Sequence, residues 1–310
     1  MNHLYFETTP ISKLNYYSNK WKINLFCKRD DLFAKAGGGS KARMLQYILN
    51  DINKFNCDVL VTAGGPNSNF NRACALMCAH LGIKMHLIEY TDEPEQFNTS
   101  LNYYICQLAG ISTTRCEKKN VPETIETVLR EYRKNNIRTK FIYGGGKSLQ
   151  GFMAYYEAVE ELYQQGIRSI DHVFLACGTG TTLTGICAGF QDYFPKTKIH
   201  AISVARKYED QYPVLLDNIN TLNDYLNKRY TFDNLTFYET YLCGGYSHSC
   251  PQLLETIKEC ISCEGLIIDP VYTGKAFYGM SSIIEKSEIH NNQDVLFWNT
   301  GGLFNLLSYR

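Results

Sequence analysis

The sequence predicts an α/β fold of parallel sheet covered by helices, and three observations carry the prediction. Short apolar runs such as Asp58-Val59-Leu60-Val61-Thr62-Ala63 alternate with amphipathic segments along the chain, the pattern of strand–helix–strand crossovers. Several runs end in a glycine turn that opens the next helix, as at Gly64-Gly65 and Gly178-Thr179-Gly180. With 45% hydrophobic and 20% charged residues over 310 positions, there is ample core for one large or two medium domains.

In chain order, a helix is expected from residue 41 to 49, then a strand over 58–63 and a helix over 69–81 that Gly82 closes. The alternation continues with a strand at 84–89, a helix at 95–109, a short strand near Ile111, a helix at 122–135 and a strand at 140–143. A helix at 150–164, a strand at 172–176, a helix at 182–191, a strand at 198–204 and a last strand at 295–299 follow. In such sheets ligands collect beyond the carboxyl ends of the strands, so the turns there are the first place to look for chemistry.

The turn Gly37-Gly38-Gly39-Ser40-Lys41-Ala42-Arg43 presents a lysine at a helix start. A phosphate-clamping P-loop needs Ser or Thr after the lysine, and Ala42 stands there. What remains is an amine that partial burial makes nucleophilic toward an aldehyde, or a solvated lysine after a flexible turn. Asn67-Ser68-Asn69 opens the next helix, where free N–H groups suit a carboxylate and where simple capping is the alternative. Cys177-Gly178-Thr179-Gly180-Thr181-Thr182 offers backbone N–H groups, hydroxyls and a helix dipole to a phosphate. Dinucleotide binding fits poorly, because Leu183 occupies the third glycine position and Ile202-Ser203-Val204-Ala205 lacks the acidic residue. Gly144-Gly145-Gly146-Lys147-Ser148 looks like half a P-loop but has Phe141 where the first glycine belongs, and it is discounted. Asp269-Pro270-Val271-Tyr272-Thr273-Gly274-Lys275 and Asn299-Thr300-Gly301-Gly302 complete the set of turns.

Lysine plus arginine and aspartate plus glutamate balance at 31 each, so neither nucleic acid nor an anionic membrane is indicated as a partner. No apolar run approaches a membrane span, and Met1 to Glu7 lacks the features of a signal peptide. A cytoplasmic location is expected. The 12 cysteines are scattered through apolar segments and read as reduced core residues. Cys260-Ile261-Ser262-Cys263 lacks a second ligand pair, Cys243 with Cys250 is set aside, and no metal is expected.

Taken together, Lys28-Arg29-Asp30-Asp31-Leu32, Gly38 to Arg43, Asn67 to Asn69, Gly178 to Thr182, Asp269 to Lys275 and Thr300 to Gly302 resemble, in the same order, the D-cysteine desulfhydrase and 1-aminocyclopropane-1-carboxylate deaminase family. The resemblance implies a two-domain, tryptophan-synthase-β-like fold (type II) with pyridoxal 5'-phosphate, a large domain at 1–44 and 149–310, a small one at 45–148, and a homodimer. It also implies that Lys41 carries the cofactor as an internal aldimine and then moves protons at the substrate carbon. Asn69 would bond the phenolic oxygen, and Gly178, Thr179, Gly180, Thr181 and Thr182 would hold the phosphate. Thr300 would face the ring nitrogen. Ser68 would hold the substrate carboxylate or act at Cα, Tyr246 and Tyr272 would flank the substrate, and Asn67, Phe70 and Thr273 would line its pocket.

In this family pattern the deaminases carry Glu and an apolar residue where this chain has Thr273 and Thr300, which favours desulfhydrase-like elimination on a small amino acid. Asn67 and Phe70 depart from the usual Gln-Ser-Asn-His/Gln pattern and enlarge or dry the pocket. A β-replacement synthase, a cyclopropane-opening deaminase and a regulatory protein that binds the cofactor without turnover are the alternatives.

Overall fold

The computed structural model describes residues 7–54, 57–286, 289 and 291–309, with backbone alone for 51–54. The strands are β1 (Ile11–Lys13), β2 (Asn24–Arg29), β3 (Val59–Gly64), β4 (Lys84–Glu89), β5 (Ser112–Arg115), β6 (Thr139–Ile142), β7 (His172–Cys177), β8 (Lys198–Ser203), β9 (Leu235–Tyr238) and β10 (Asp294–Asn299). The helices are α1 (Asn15–Trp21), α2 (Ser40–Lys54), α3 (Asn69–Leu81), α4 (Gln96–Thr99), α5 (Leu101–Leu108), α6 (Val121–Lys134), α7 (Leu149–Gln164), α8 (Thr181–Tyr193), α9 (Tyr208–Leu226), α10 (Pro251–Glu264), α11 (Thr273–Lys286) and α12 (Leu303–Ser308).

Two sheets result. One has six strands in the order β1-β2-β10-β7-β8-β9, and the other has four in the order β5-β4-β3-β6. The pairings are parallel except at one edge, where β1 runs antiparallel to β2. β3 and β7 are buried along their whole length, as strands covered on both faces must be. The smaller sheet is drawn from residues 59–142 and the larger from chain on either side of it.

One expected helix is divided. The stretch expected to be helical over 95–109 is two helices, α4 and α5, because Ser100 stops the first and caps the second. Its hydroxyl accepts from Tyr103 N at 3.2 Å and donates to Pro66 O at 2.8 Å, so a capping side chain outweighs the local helical pattern.

Behind the turn that carries Lys41 lies a buried ionic cluster. Asp30, fully buried, accepts from the Thr9 hydroxyl at 2.8 Å, Arg43 Nη2 at 2.9 Å, the Tyr155 hydroxyl at 2.8 Å and Trp298 Nε1 at 2.9 Å. Arg43 Nη1 donates to Glu161 Oε2 at 2.7 Å, and Lys28 Nζ pairs with the other oxygen of Glu161 while donating to Thr9 O and Gln165 Oε1. Burial opposes ionisation of Asp30, but the Arg43 and Lys28 charges and the bonds from Trp298 and Tyr155 outweigh it and hold the carboxyl below its usual range. The cluster ties β2, α2, α7 and β10 together and fixes where α2 begins.

Candidate active site

Strand order brings the loaded turns together. β2, β10 and β7 are neighbours in the larger sheet, so the turns leading into α2, α12 and α8 leave the same edge side by side. In the smaller sheet β3 and β6 are neighbours, which pairs the turn before α3 with residues 143–148.

Lys41 stands one residue into α2. Ser40 N donates to Thr300 O at 2.9 Å, and a Cβ on Gly301 would come within 2.8 Å of Gly39 Cα. The two turns therefore interlock through glycine. Lys41 Nζ donates to Gly145 O at 3.0 Å, no carboxylate pairs with it among the described residues, and burial pushes its pKa down to about 8. A Cβ on Gly145 would meet Thr179 Cγ2 at 2.7 Å, so the amine, the Gly145 carbonyl and the Thr179 side chain are contiguous. Residues 144–146, discounted from the sequence as a phosphate loop, thus supply a wall of the site through a backbone carbonyl. The neighbouring Lys147 does not enter it and instead pairs with Asp217 at 2.9 Å.

The segment from Gly178 to Thr182 forms an open cradle. Gly180 is the N-cap of α8 with φ 86°, and no side chain caps that helix, so its first N–H groups lack intrahelical acceptors. The hydroxyls of Thr179 and Thr181 lie 3.2 Å apart at its mouth. A dianionic phosphate fits such a helix start, and a lysine amine within the same cluster fits an aldehyde. These donors suit pyridoxal phosphate.

Ser68 caps α3 and accepts from Asn71 N at 3.2 Å, which leaves its O–H free to donate. Asn69 accepts from Arg72 through Oδ1 at 3.3 Å, and the Asn67 carbonyl accepts from Asn102 Nδ2 at 3.2 Å. Phe70 lies in the core, 1% exposed, against the position of Gly146. The hydroxyls of Tyr246 and Tyr272 are 2.6 Å apart; burial is the main cause of the raised pKa of Tyr272, whereas the Tyr246 side chain is partly exposed. Thr273 sits deeper than a substrate contact. It is fully buried, its hydroxyl donates to Asp269 Oδ1 at 2.7 Å, and it holds the turn that aims Tyr272.

Two features here are missed or set aside on the sequence. Lys275 is buried and donates to Leu242 O at 2.8 Å and Gly245 O at 2.6 Å, clamping the loop that carries Tyr246; its place in the Asp269 to Lys275 block was the available signal. Cys243 and Cys250 form a disulfide around that loop, which corrects the reading of all cysteines as reduced core residues. The pair is set aside on the sequence, because a spacing of seven does not by itself mark a disulfide. A separate cavity of about 770 Å³ between Phe97, Tyr103 and Arg115 contains none of the residues that the sequence assigns to the site.

The PALP family model, pyridoxal-phosphate dependent enzyme, matches residues 4–301. The chain belongs to this family. It uses pyridoxal phosphate, and its architecture is the type II fold of such enzymes. Among solved structures, an ACC deaminase homologue is 28% identical over 96% of this chain and 90% of its own, with a TM-score of 0.87. A threonine deaminase from Solanum lycopersicum is 17% identical over 94% and 78%, with a TM-score of 0.65. A hydrogen sulfide-producing enzyme from Fusobacterium nucleatum is 15% identical over the whole of both chains, with a TM-score of 0.68. The last two share the fold.

Proposed function

We propose that this chain is a lyase that performs α,β-elimination on a small β-substituted amino acid of the D-cysteine kind, converting it with one water to pyruvate, ammonia and sulfide. Bound pyridoxal phosphate supplies an aldehyde that joins the amino group and a ring that takes up electrons released at Cα. Lys41 holds that aldehyde in the resting protein and then moves the proton at Cα, a task suited to an amine whose pKa is about 8. Asn69 donates to the phenolic oxygen, residues 178–182 hold the phosphate, and the start of α3 with Ser68 receives the substrate carboxylate. Asn67 and Phe70 shape the pocket beside it. Tyr246 and Tyr272, whose hydroxyls are hydrogen-bonded to each other, act as hydrogen-bond donors toward the departing group.

One observation carries elimination over transamination. Thr300, which would face the ring nitrogen, and Thr273 behind it both carry hydroxyls, and the nearby Asp269 carboxylate is occupied by N–H groups of Val271, Tyr272 and Thr273 at 2.8–3.1 Å. A neutral partner leaves the ring a weaker electron sink, and loss of a β-substituent then relieves the charge. The 28% identical ACC deaminase homologue favours a second reading, opening of a cyclopropane ring. No described helix is long and apolar enough to cross a membrane, and a cytoplasmic homodimer belongs to the same proposal.

The test is the purified, cofactor-loaded protein with D-cysteine, L-cysteine and 1-aminocyclopropane-1-carboxylate, each without a second nucleophile. Pyruvate and sulfide in equal amounts from D-cysteine are expected. A 2-oxo acid from the cyclopropane substrate alone, or turnover only when a second nucleophile is added, overturns the elimination reading.

A further inference from the structure

Arg72 belongs to no motif of the sequence reading. It lies one turn into α3, 3% exposed. Its Nη1 donates to Asn69 Oδ1 at 3.3 Å and Asn102 Oδ1 at 3.2 Å, its Nη2 donates to Gly38 O at 3.3 Å, and the guanidinium lies 4.2 Å from the centre of the Phe304 ring. Among the described residues no carboxylate pairs with it, and its buried Nε has no partner.

A guanidinium carries donors and no acceptor, so it dictates which way each amide beside it faces. The oxygen of Asn69 must point at Arg72, and its NH2 group is turned away, with no partner among the described residues. The oxygen of Asn102 must do the same. Its nitrogen then donates to Asn67 O at 3.2 Å and Asn305 Oδ1 at 2.8 Å, and Asn305 Nδ2 donates to Asp269 Oδ2 at 3.4 Å. That same oxygen accepts from Val271 N and Tyr272 N at 3.1 Å. Asn102, Asn305 and Asp269 are buried. Every donor in this chain points from the cation toward the carboxylate, an arrangement in which each bond polarises the next.

We propose that Arg72 is a positioning residue, which turns the Asn69 NH2 group toward the cofactor's phenolic oxygen and, through Asn102, Asn305 and Asp269, ties the Asn67–Asn69 wall of the site to the Tyr272 wall. The proposal rests on the reading that Asn69 bonds that oxygen. It adds a source for the orientation and a positive charge beside it.

The test uses the holoprotein without substrate and reads the pH midpoint of the visible absorbance band of the bound cofactor. A nearby cation and a donor on the phenolic oxygen both disfavour retention of the band's proton, so Arg72→Leu is expected to raise the midpoint by about one unit, tenfold in proton affinity. Asn69→Ala is expected to move it the same way, and the double variant by less than the sum, because one contact is removed twice. Arg72→Lys keeps the charge without the fork and carries the test if the leucine variant does not fold, with an expected rise of roughly half a unit. A midpoint unchanged in folded Arg72→Leu or Arg72→Lys, or additive shifts in the double variant, overturns the proposal. A wild-type band that titrates in a protein inactive on D-cysteine overturns the proposed reaction and leaves this inference standing.

Discussion

Two buried arginines flank Lys41, and they are provided for in opposite ways. Arg43 meets Asp30 at 2.9 Å and Glu161 at 2.7 Å, within a cluster whose carboxylates also take up Lys28, Tyr155 and Trp298. Arg72 ends on amide and carbonyl oxygens, with Nε unmatched, and burial pushes its pKa down to about 10. The polarity behind Lys41 is neutralised and closed, as scaffolding requires. The polarity in front retains donors and positive charge, which the phosphate, phenolic oxygen and carboxylate of a bound cofactor and substrate can use.

The largest effect should come from opening the closed side. Asp30→Asn leaves Arg43 and Lys28 with one carboxylate between them inside the core, and removing one partner of a buried pair costs about 3–5 kcal/mol. Denaturant unfolding of the apoprotein should show that loss, and a cost under about 1 kcal/mol would break the contrast with Arg72.

Lys41 sits between the two regions and sharpens the comparison with an opposite sign. Its folded pKa of about 8 lies below the ordinary lysine value of 10.5, so its charged form is penalised in the folded apoprotein below pH 8, and the penalty fades as the pH rises toward 10.5. Lys41→Met should therefore stabilise the apoprotein at pH 7 by up to about 3 kcal/mol, less about 1 kcal/mol for the lost bond to Gly145 O. The gain should disappear near pH 10.5. Denaturation of both proteins at the two pH values checks it, and destabilisation at pH 7 would contradict the reading.

The smallest effect is expected at Lys147. Its pair with Asp217 is solvent-exposed, and Lys147→Ala should change stability by about 0.5 kcal/mol or less and leave cofactor affinity unaltered in a fluorescence titration. A marked loss of affinity would return this lysine to the phosphate site.

Much of this arrangement was legible in the sequence, because strand ends and glycine turns announce themselves locally. β3 and β7 are largely apolar and buried throughout, and the turns after them carry small polar residues at helix starts. What stayed hidden depends on distant partners. β2 ends in Lys28 and Arg29 and reads poorly as a buried strand, since its lysine is admitted to the core by Glu161, 133 positions away. Arg72 resembles any arginine on a helix until Asn102 and Phe304 from other helices meet it. Gly145 acts through a carbonyl, which leaves no mark on side-chain pattern. The break at Ser100 depends on the Pro66 carbonyl reaching it.

The central claim is that Lys41 forms the covalent link to pyridoxal phosphate, and reduction of the holoprotein with borohydride followed by peptide mass spectrometry tests it most directly. The expected result is a pyridoxyl-phosphate label on Lys41 and its absence after Lys41→Ala. A label on Lys275, the other buried lysine with a pKa near 8, or no label on any lysine, would contradict the account.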